Sequence, residues 1–377
     1  MEQKEFGIYI HIPFCKKKCY YCDFISYSNK CDEIDKYVET VLNEIDTYDF
    51  SNYNVTTIYI GGGTPSFIES KYIVKLINTI KSKLKNNTTK FENIEITIEV
   101  NPGTVNIDKL QDYKTAGVNR ISIGLQSTNN KLLKEIGRIH TYEEFLETYK
   151  NAIKVGFENI NVDLMLGLPN QTIKDLKESL EKIIELNPNH ISVYSLILEE
   201  STVLYQNVEK GLIKLPEEEL ERQMYWYVKN ILELNGYRHY EISNFAKNGK
   251  ESKHNLNCWE QKEYIGLGAA AHSYLNAKRY SNTQNLEEYI KDFTKKTIQE
   301  VQSQEDIKKE YMLLGLRKID GVSILKFKEK FNENPIYLFR KELEKLVNEE
   351  LVMIDGDFIK LTNKGLDFAN LVWEEFV

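Results

Sequence analysis

The chain has 377 residues, 41% hydrophobic and 11% aromatic, enough to bury a sizeable core in two or three domains. Its 49 basic and 57 acidic residues leave a formal net charge of −8, which disfavours nucleic acid or an anionic membrane as the main partner. No apolar run nears the ~20 residues that span a bilayer, and MEQKEFGIYI lacks the charged and apolar regions of a signal peptide.

The first strand, Phe6–Ile12, runs into a loop holding Cys15, Cys19 and Cys22, three of the five cysteines, spaced C-x3-C-x2-C. Such clustering is no disulfide framework, and it places the protein in a reducing cytoplasm. Thiolates are soft ligands for zinc, Cu(I) or iron–sulfur clusters. Three of them leave one iron of a four-iron cluster open for chemistry. Two other readings share these residues: a Cys3His zinc site with His11, and a redox pair at Cys19-x-x-Cys22.

Further strands read at Val55–Ile60, Ile94–Val100, Arg120–Gln126, Ile160–Leu166 and His190–Leu198, separated by amphipathic helices. One helix carries Ile34, Val38, Val41, Leu42 and Ile45. Another opens on a capping box, Thr172 to Asp175, ahead of Leu176, Leu180, Ile183 and Ile184. Six βα units in series predict parallel strands.

Buried parallel strands are nearly all apolar, yet these alternate. Ile94, Ile96, Ile98 and Val100 oppose Glu95, Thr97 and Glu99; Ile121, Ile123 and Leu125 oppose Ser122, Gly124 and Gln126. Ile160, Val162, Leu164 and Leu166 oppose Asn161, Asp163 and Met165, and in the first strand Tyr9 and His11 take the polar face. A closed eight-stranded barrel fills its lumen with branched aliphatics. A polar lumen on six strands therefore predicts an open, partial (βα)6 barrel with ligands inside. An antiparallel sheet wetted on one face shows the same alternation, but the intervening helices oppose it.

The barrel is expected over residues 1–205 and an irregular α+β extension over 206–300. The extension holds a helix at Glu217–Leu234, then YRHYEISNFA, HNLNCW and YIGLGAAAHSY. In residues 301–377, helical segments at Glu305–Arg317, Ser323–Lys330 and Pro335–Asn348 precede a hairpin, Leu351–Ile354 and Phe358–Leu361. Helices before a small hairpin are winged-helix-like, and the acidic balance favours a packing module over a DNA binder.

The second strand ends in Gly61-Gly62-Gly63-Thr64-Pro65, where bare backbone lets a ligand approach. With Cx3CxΦC (Φ aromatic, here Tyr21) one βα unit earlier, the chain resembles the radical S-adenosylmethionine (SAM) superfamily. More narrowly it resembles the coproporphyrinogen III dehydrogenase group. The matching residues are Tyr9-x-His11-Ile12-Pro13-Phe14-Cys15, GGGTPS, Glu99-x-Asn101-Pro102, Ser122-Ile123-Gly124-Leu125-Gln126, Gly137-Arg138, Asp163-Leu164-Met165-x-Gly167-Leu168-Pro169 and Gly266-Leu267-Gly268.

The resemblance implies a [4Fe–4S] cluster on Cys15, Cys19 and Cys22. The open iron chelates SAM, and one electron, from a donor such as a flavodoxin or ferredoxin, cleaves SAM to a 5′-deoxyadenosyl radical. It implies SAM contacts at Tyr9, Tyr21, Gly62, Gly63, Thr64 and Glu99. Gln126, Arg138 and Asp163 match positions that hold a second SAM in the dehydrogenase.

Two features separate the subfamilies. The dehydrogenase has a fourth cysteine where this chain has Phe24, and an extension ahead of its cluster motif where this chain has fourteen residues before Cys15. His254-Asn255-Leu256-Asn257-Cys258-Trp259 resembles the HNxxYW motif of HemW-type heme chaperones, with Cys258 in place of Tyr. The resemblance thus implies a heme chaperone that binds heme and passes it to acceptor proteins. His254 is the first heme-ligand candidate and Cys258 another. His272 is a further candidate, expected to line the SAM cavity, and Cys31 stands alone in a polar turn. The alternative is an enzyme: coproporphyrinogen III oxidative decarboxylation, or a related radical modification of heme.

Overall fold

A computed structural model describes residues 3–85 and 87–377. Strands β1 (Lys4–Ile12), β2 (Tyr53–Gly62), β3 (Glu95–Val100), β4 (Arg120–Gln126), β5 (Ile160–Leu166) and β6 (His190–Ser195) lie side by side in chain order, all parallel. Alternation decides their two faces. Ile8, Ile10, Ile96, Ile98, Ile121, Ile123, Ile160 and Val162 are fully covered in the main core, whereas Tyr59, Glu99, Ser122, Gly124 and Asp163 face a cavity. The helix Ile34–Asp46 buries Tyr37, Val38, Val41, Leu42 and Ile45 as one stripe. The expected capping box at Thr172–Asp175 is present and opens the helix Ile173–Leu186.

The six strands do not close on themselves. β7 (Arg238–Glu241) and β8 (Asn244–Ala246) extend the sheet antiparallel beyond β6. At the other edge β9 (Glu263–Leu267) adds in parallel to β1, Ile8 opposite Ile265. β10 (His272–Leu275), β11 (Lys278–Asn282) and β12 (Lys296–Val301) follow antiparallel, giving twelve strands in one sheet. A single hydrophobic core runs from Phe6 to Tyr289. Residues 206–300 therefore complete the layers begun by residues 1–205.

A buried carboxylate ties these segments together. Glu44 accepts from the Gly268 N–H (2.9 Å), the Asn282 amide (3.0 Å) and the Tyr289 hydroxyl (2.6 Å), and pairs with the Lys296 ammonium.

The C-terminal module has its own core, including Met312, Phe327, Leu343, Ile359 and Val372. Its small sheet, in order β13 (Val322–Ser323), β15 (Phe358–Leu361) and β14 (Val352–Asp355), contains the expected hairpin. The helix expected over Pro335–Asn348 breaks at Phe339 into Pro335–Leu338 and Arg340–Asn348. The module packs on the extension. The Arg317 guanidinium lies 4.4 Å from the ring of Trp259 and 4.7 Å from that of Trp373. No helix among the described residues is long and apolar enough to cross a membrane.

Candidate functional site

Backbone bonds hold the cysteine loop at both ends. Cys15 N–H donates to Tyr27 (3.0 Å) and Tyr27 N–H to Pro13 (2.8 Å), while Tyr20 N–H donates to Ile136 (3.0 Å). The loop and the GGGTP turn are joined by Gly63 N–H to Ile12 (3.0 Å) and Thr64 N–H to Phe14 (2.9 Å). All three cysteines then line one cavity of about 550 Å³ at the C-terminal ends of the strands.

The Thr64 hydroxyl donates to Cys15 Sγ (3.4 Å) and Arg138 Nη1 to Cys19 Sγ (3.6 Å). Burial pushes the Cys15 thiol up and the Cys22 thiol up to about 11, so cationic iron is what would hold them as thiolates. Three free thiols on one cavity are the donor set that a [4Fe–4S] cluster with one open iron would take. Among the described residues no three His, Cys, Asp or Glu side chains converge on a point that would hold a single ion. His11, the fourth member of the zinc reading, is engaged elsewhere: Nδ1 bonds the Tyr9 hydroxyl (2.9 Å) and Nε2 the Ile25 carbonyl (2.9 Å).

The glycine turn is sterically required. Gly62 has φ +111°, and a Cβ there would lie 2.6 Å from the His11 ring; one on Gly63 would lie 3.0 Å from Cys15 Sγ. Gly62 N–H donates to Glu99 Oε2 (3.2 Å) and the Tyr59 hydroxyl to Glu99 Oε1 (2.9 Å). Burial, aided by the nearby Asp163 charge, lifts Glu99 to about 7 against those two bonds.

Of the expected SAM contacts, Tyr21, Gly62, Gly63, Thr64, Glu99, Gln126, Arg138 and Asp163 all line this cavity. Tyr9 does not. It packs beside Tyr59, with ring centroids 6.3 Å apart, and its hydroxyl is held by His11. Gln126 sits at a β-bulge with φ 74° and accepts from the Tyr194 hydroxyl (3.0 Å). The Arg138 fork is occupied: Nη2 donates to Asn101 Oδ1 (2.7 Å) and to the Gly124 carbonyl, and Nη1 reaches Cys19.

None of the heme candidates lines the cavity. His254 opens the helix Lys253–Trp259, whose first N–H groups are capped by the Glu95 carboxylate (3.1 Å). Its Nδ1 bonds Thr57 (2.9 Å), its ring stacks on Tyr59 at 5.1 Å, and burial lowers it to about 4. Cys258, on the same helix, is pushed up to about 11 by burial. His272 does not line the cavity, contrary to expectation. Ala270, at φ 61°, turns the chain back into β10 and leaves the imidazole exposed beside Gln299 (3.1 Å). Phe24 stands 62% exposed at the cavity rim.

Sequence reasoning missed Arg120, Tyr59, Ser192 and Tyr194, all of which line the cavity. Parity contained the signal for Arg120, which shares the face of Ser122 and Gly124.

Residues 9–183 match the model of the radical SAM superfamily, and residues 302–368 that of the HemN C-terminal domain. The chain is 40% identical over 379 residues to the heme chaperone HemW of Lactococcus lactis, covering 100% of this chain and 98% of that protein. It is also 40% identical to the heme chaperone HemW of Bacillus subtilis, covering 98% of each. The solved structure of coproporphyrinogen III oxidase (HemN) from Escherichia coli, a radical SAM enzyme, has the same fold, with a TM-score of 0.85 at 23% identity over 99% of this chain and 90% of that one. The chain belongs to the radical SAM superfamily and, within it, to the family of the heme chaperone HemW.

Proposed function

We propose that this chain is a cytoplasmic heme chaperone that carries a [4Fe–4S] cluster on Cys15, Cys19 and Cys22, takes SAM at that cluster, and hands heme to acceptor proteins. The observation that carries the reading is 40% identity along the entire chain to heme chaperones. The cavity agrees with it: three thiols and a glycine cradle share one space, with Phe24 at the rim where the dehydrogenase group has a fourth cysteine.

When bound, the cluster supplies an open iron for the amino and carboxylate groups of SAM and an electron that splits the sulfonium. The chain supplies the rest. Thr64 and Arg138 stabilise the thiolates of Cys15 and Cys19 by donating to sulfur. Glu99, once ionised, would accept from an N–H of the SAM amino group that binds the iron. The bare Gly62–Gly63 backbone admits the methionine part of SAM. An electron donor of the flavodoxin or ferredoxin class would serve the cluster.

For heme, accessibility favours His272, whose imidazole is exposed, over His254, which would have to leave Thr57 and Tyr59. Cys258 would have to leave its buried place. A second reading, coproporphyrinogen III oxidative decarboxylation, draws on the shared motifs, the C-terminal domain match and the fold likeness.

Anaerobic reconstitution of the cluster followed by heme titration, read at the Soret band, tests the proposal. A stoichiometric heme complex without conversion of coproporphyrinogen is expected; turnover of coproporphyrinogen would overturn it. Replacing His272 with Ala should shift the Soret band, and an unshifted band would return the ligand assignment to His254 or Cys258.

A further inference from the structure

Below the cysteine loop, the lower half of the cavity holds a guanidinium that feels the charges of Asp163 and Glu99 but makes no direct contact with either. Arg120, the first residue of β4, is 2% exposed, yet it lines the cavity. Its Nε has no hydrogen-bond partner among the described residues, and no carboxylate among them forms an ion pair with its guanidinium. The two nearby acids are engaged with other groups. Asp163 accepts from Asn161 (2.6 Å) and Ser122 (3.4 Å), and Glu99 from Tyr59 and Gly62. Nearby, the hydroxyl of Thr97, the register partner of Arg120, and the side-chain Oδ1 of Asn244 also lack partners among the described residues.

A buried guanidinium with open donors is strongly disfavoured unless an anion or water meets it. Its planar fork matches a carboxylate. A phosphate would bring further negative charge against Asp163 and Glu99.

We propose that Arg120 anchors a carboxylate of a ligand lying deep in the cavity, apart from the molecule at the cluster. Two sources share this chemistry: a propionate side chain of a porphyrin, and the methionine carboxylate of a second SAM. The porphyrin source rests on the heme reading above with the porphyrin seated in the cavity rather than on exposed His272; the anchor itself does not.

The test uses cluster-loaded full-length protein with Arg120→Gln and Arg120→Lys. Hemin and its dimethyl ester are titrated, and SAM stoichiometry is measured by equilibrium dialysis. If the porphyrin is the source, Arg120→Gln weakens hemin by about 10- to 100-fold and leaves the ester unchanged. If SAM is the source, Arg120→Gln removes one SAM per chain. Arg120→Lys, which keeps charge without the fork, falls between. It decides the matter if the Gln variant fails to hold its cluster. Unchanged hemin-to-ester preference together with unchanged SAM stoichiometry would overturn the anchor. Wild-type protein that ignores hemin would sink the heme reading, leaving the anchor to be judged on SAM alone; one that also binds no second SAM would sink both.

Discussion

Glu99 offers the sharpest test of the electrostatics of the cavity. Burial lifts its carboxyl from 4.5 to about 7, which at ~1.4 kcal/mol per pH unit amounts to ~3 kcal/mol. The side chain faces the cavity and is only half-buried, so water there reduces the figure to ~2 kcal/mol. The sign follows from linkage. The unfolded chain loses this proton near 4.5 and the folded chain near 7, so stability is full below 4.5 and falls as pH rises between the two values. Glu99→Gln removes the charge while preserving both contacts, since Oε1 can accept from Gly62 N–H and Nε2 can donate to the Tyr59 oxygen. With cluster but without SAM, the variant should melt ~2–4 °C above the parent at pH 8 and together with it near pH 4.5. SAM binding moves the other way: parent affinity rises from pH 6 to 8 as Glu99 ionises, and the variant shows no such rise. Equal melting at pH 8, or a gain of the same size at low pH, would refute the reasoning.

Other expectations follow from single contacts. Cys19→Ser should abolish the iron–sulfur absorption, read with iron and sulfide content. Gly62→Ala, forced to φ +111° with its Cβ against His11, should lose at least ~1–3 kcal/mol by thermal melting and at least tenfold in SAM affinity. Lys296→Met leaves Glu44 buried without its cation and should destabilise by ~3 kcal/mol; adding Glu44→Gln should restore more than half of that. Arg317→Ala removes both indole contacts, ~2 kcal/mol in all, and should make the C-terminal module melt first in calorimetry.

Local periodicity made the parallel strands and their polar face legible, because residues two apart must share a side. Hence parity alone puts Glu99, Gln126 and Asp163 on the face that lines the cavity. The same rule applies to Arg120, which reads as the first residue of its strand but is not counted with Ser122, Gly124 and Gln126 on the polar face. What was not legible was pairing over long chain distances. Strands β7 to β12 have three to six residues each, too short for a period to show. Nothing in YIGLG announces β1 as its neighbour. His272 was misplaced for a related reason: the reversal at Ala270 needs a left-handed residue where only alanines stand.

The pairing of β1 with β9 also governs when this protein can form. Phe6 meets Glu263, a partner 257 positions later in the chain. At roughly 5–20 residues per second of synthesis, β1 waits ~10–50 s with one edge open. During that interval the cysteine loop already exists, but Gly268, which packs against the His11 carbonyl behind it, has not yet been made. Ribosome-bound chains shorter than about residue 267 should therefore expose the apolar strand edge to holding chaperones and take up iron poorly. Cofactor loading should then follow synthesis of β9, which iron uptake by such truncated chains would test.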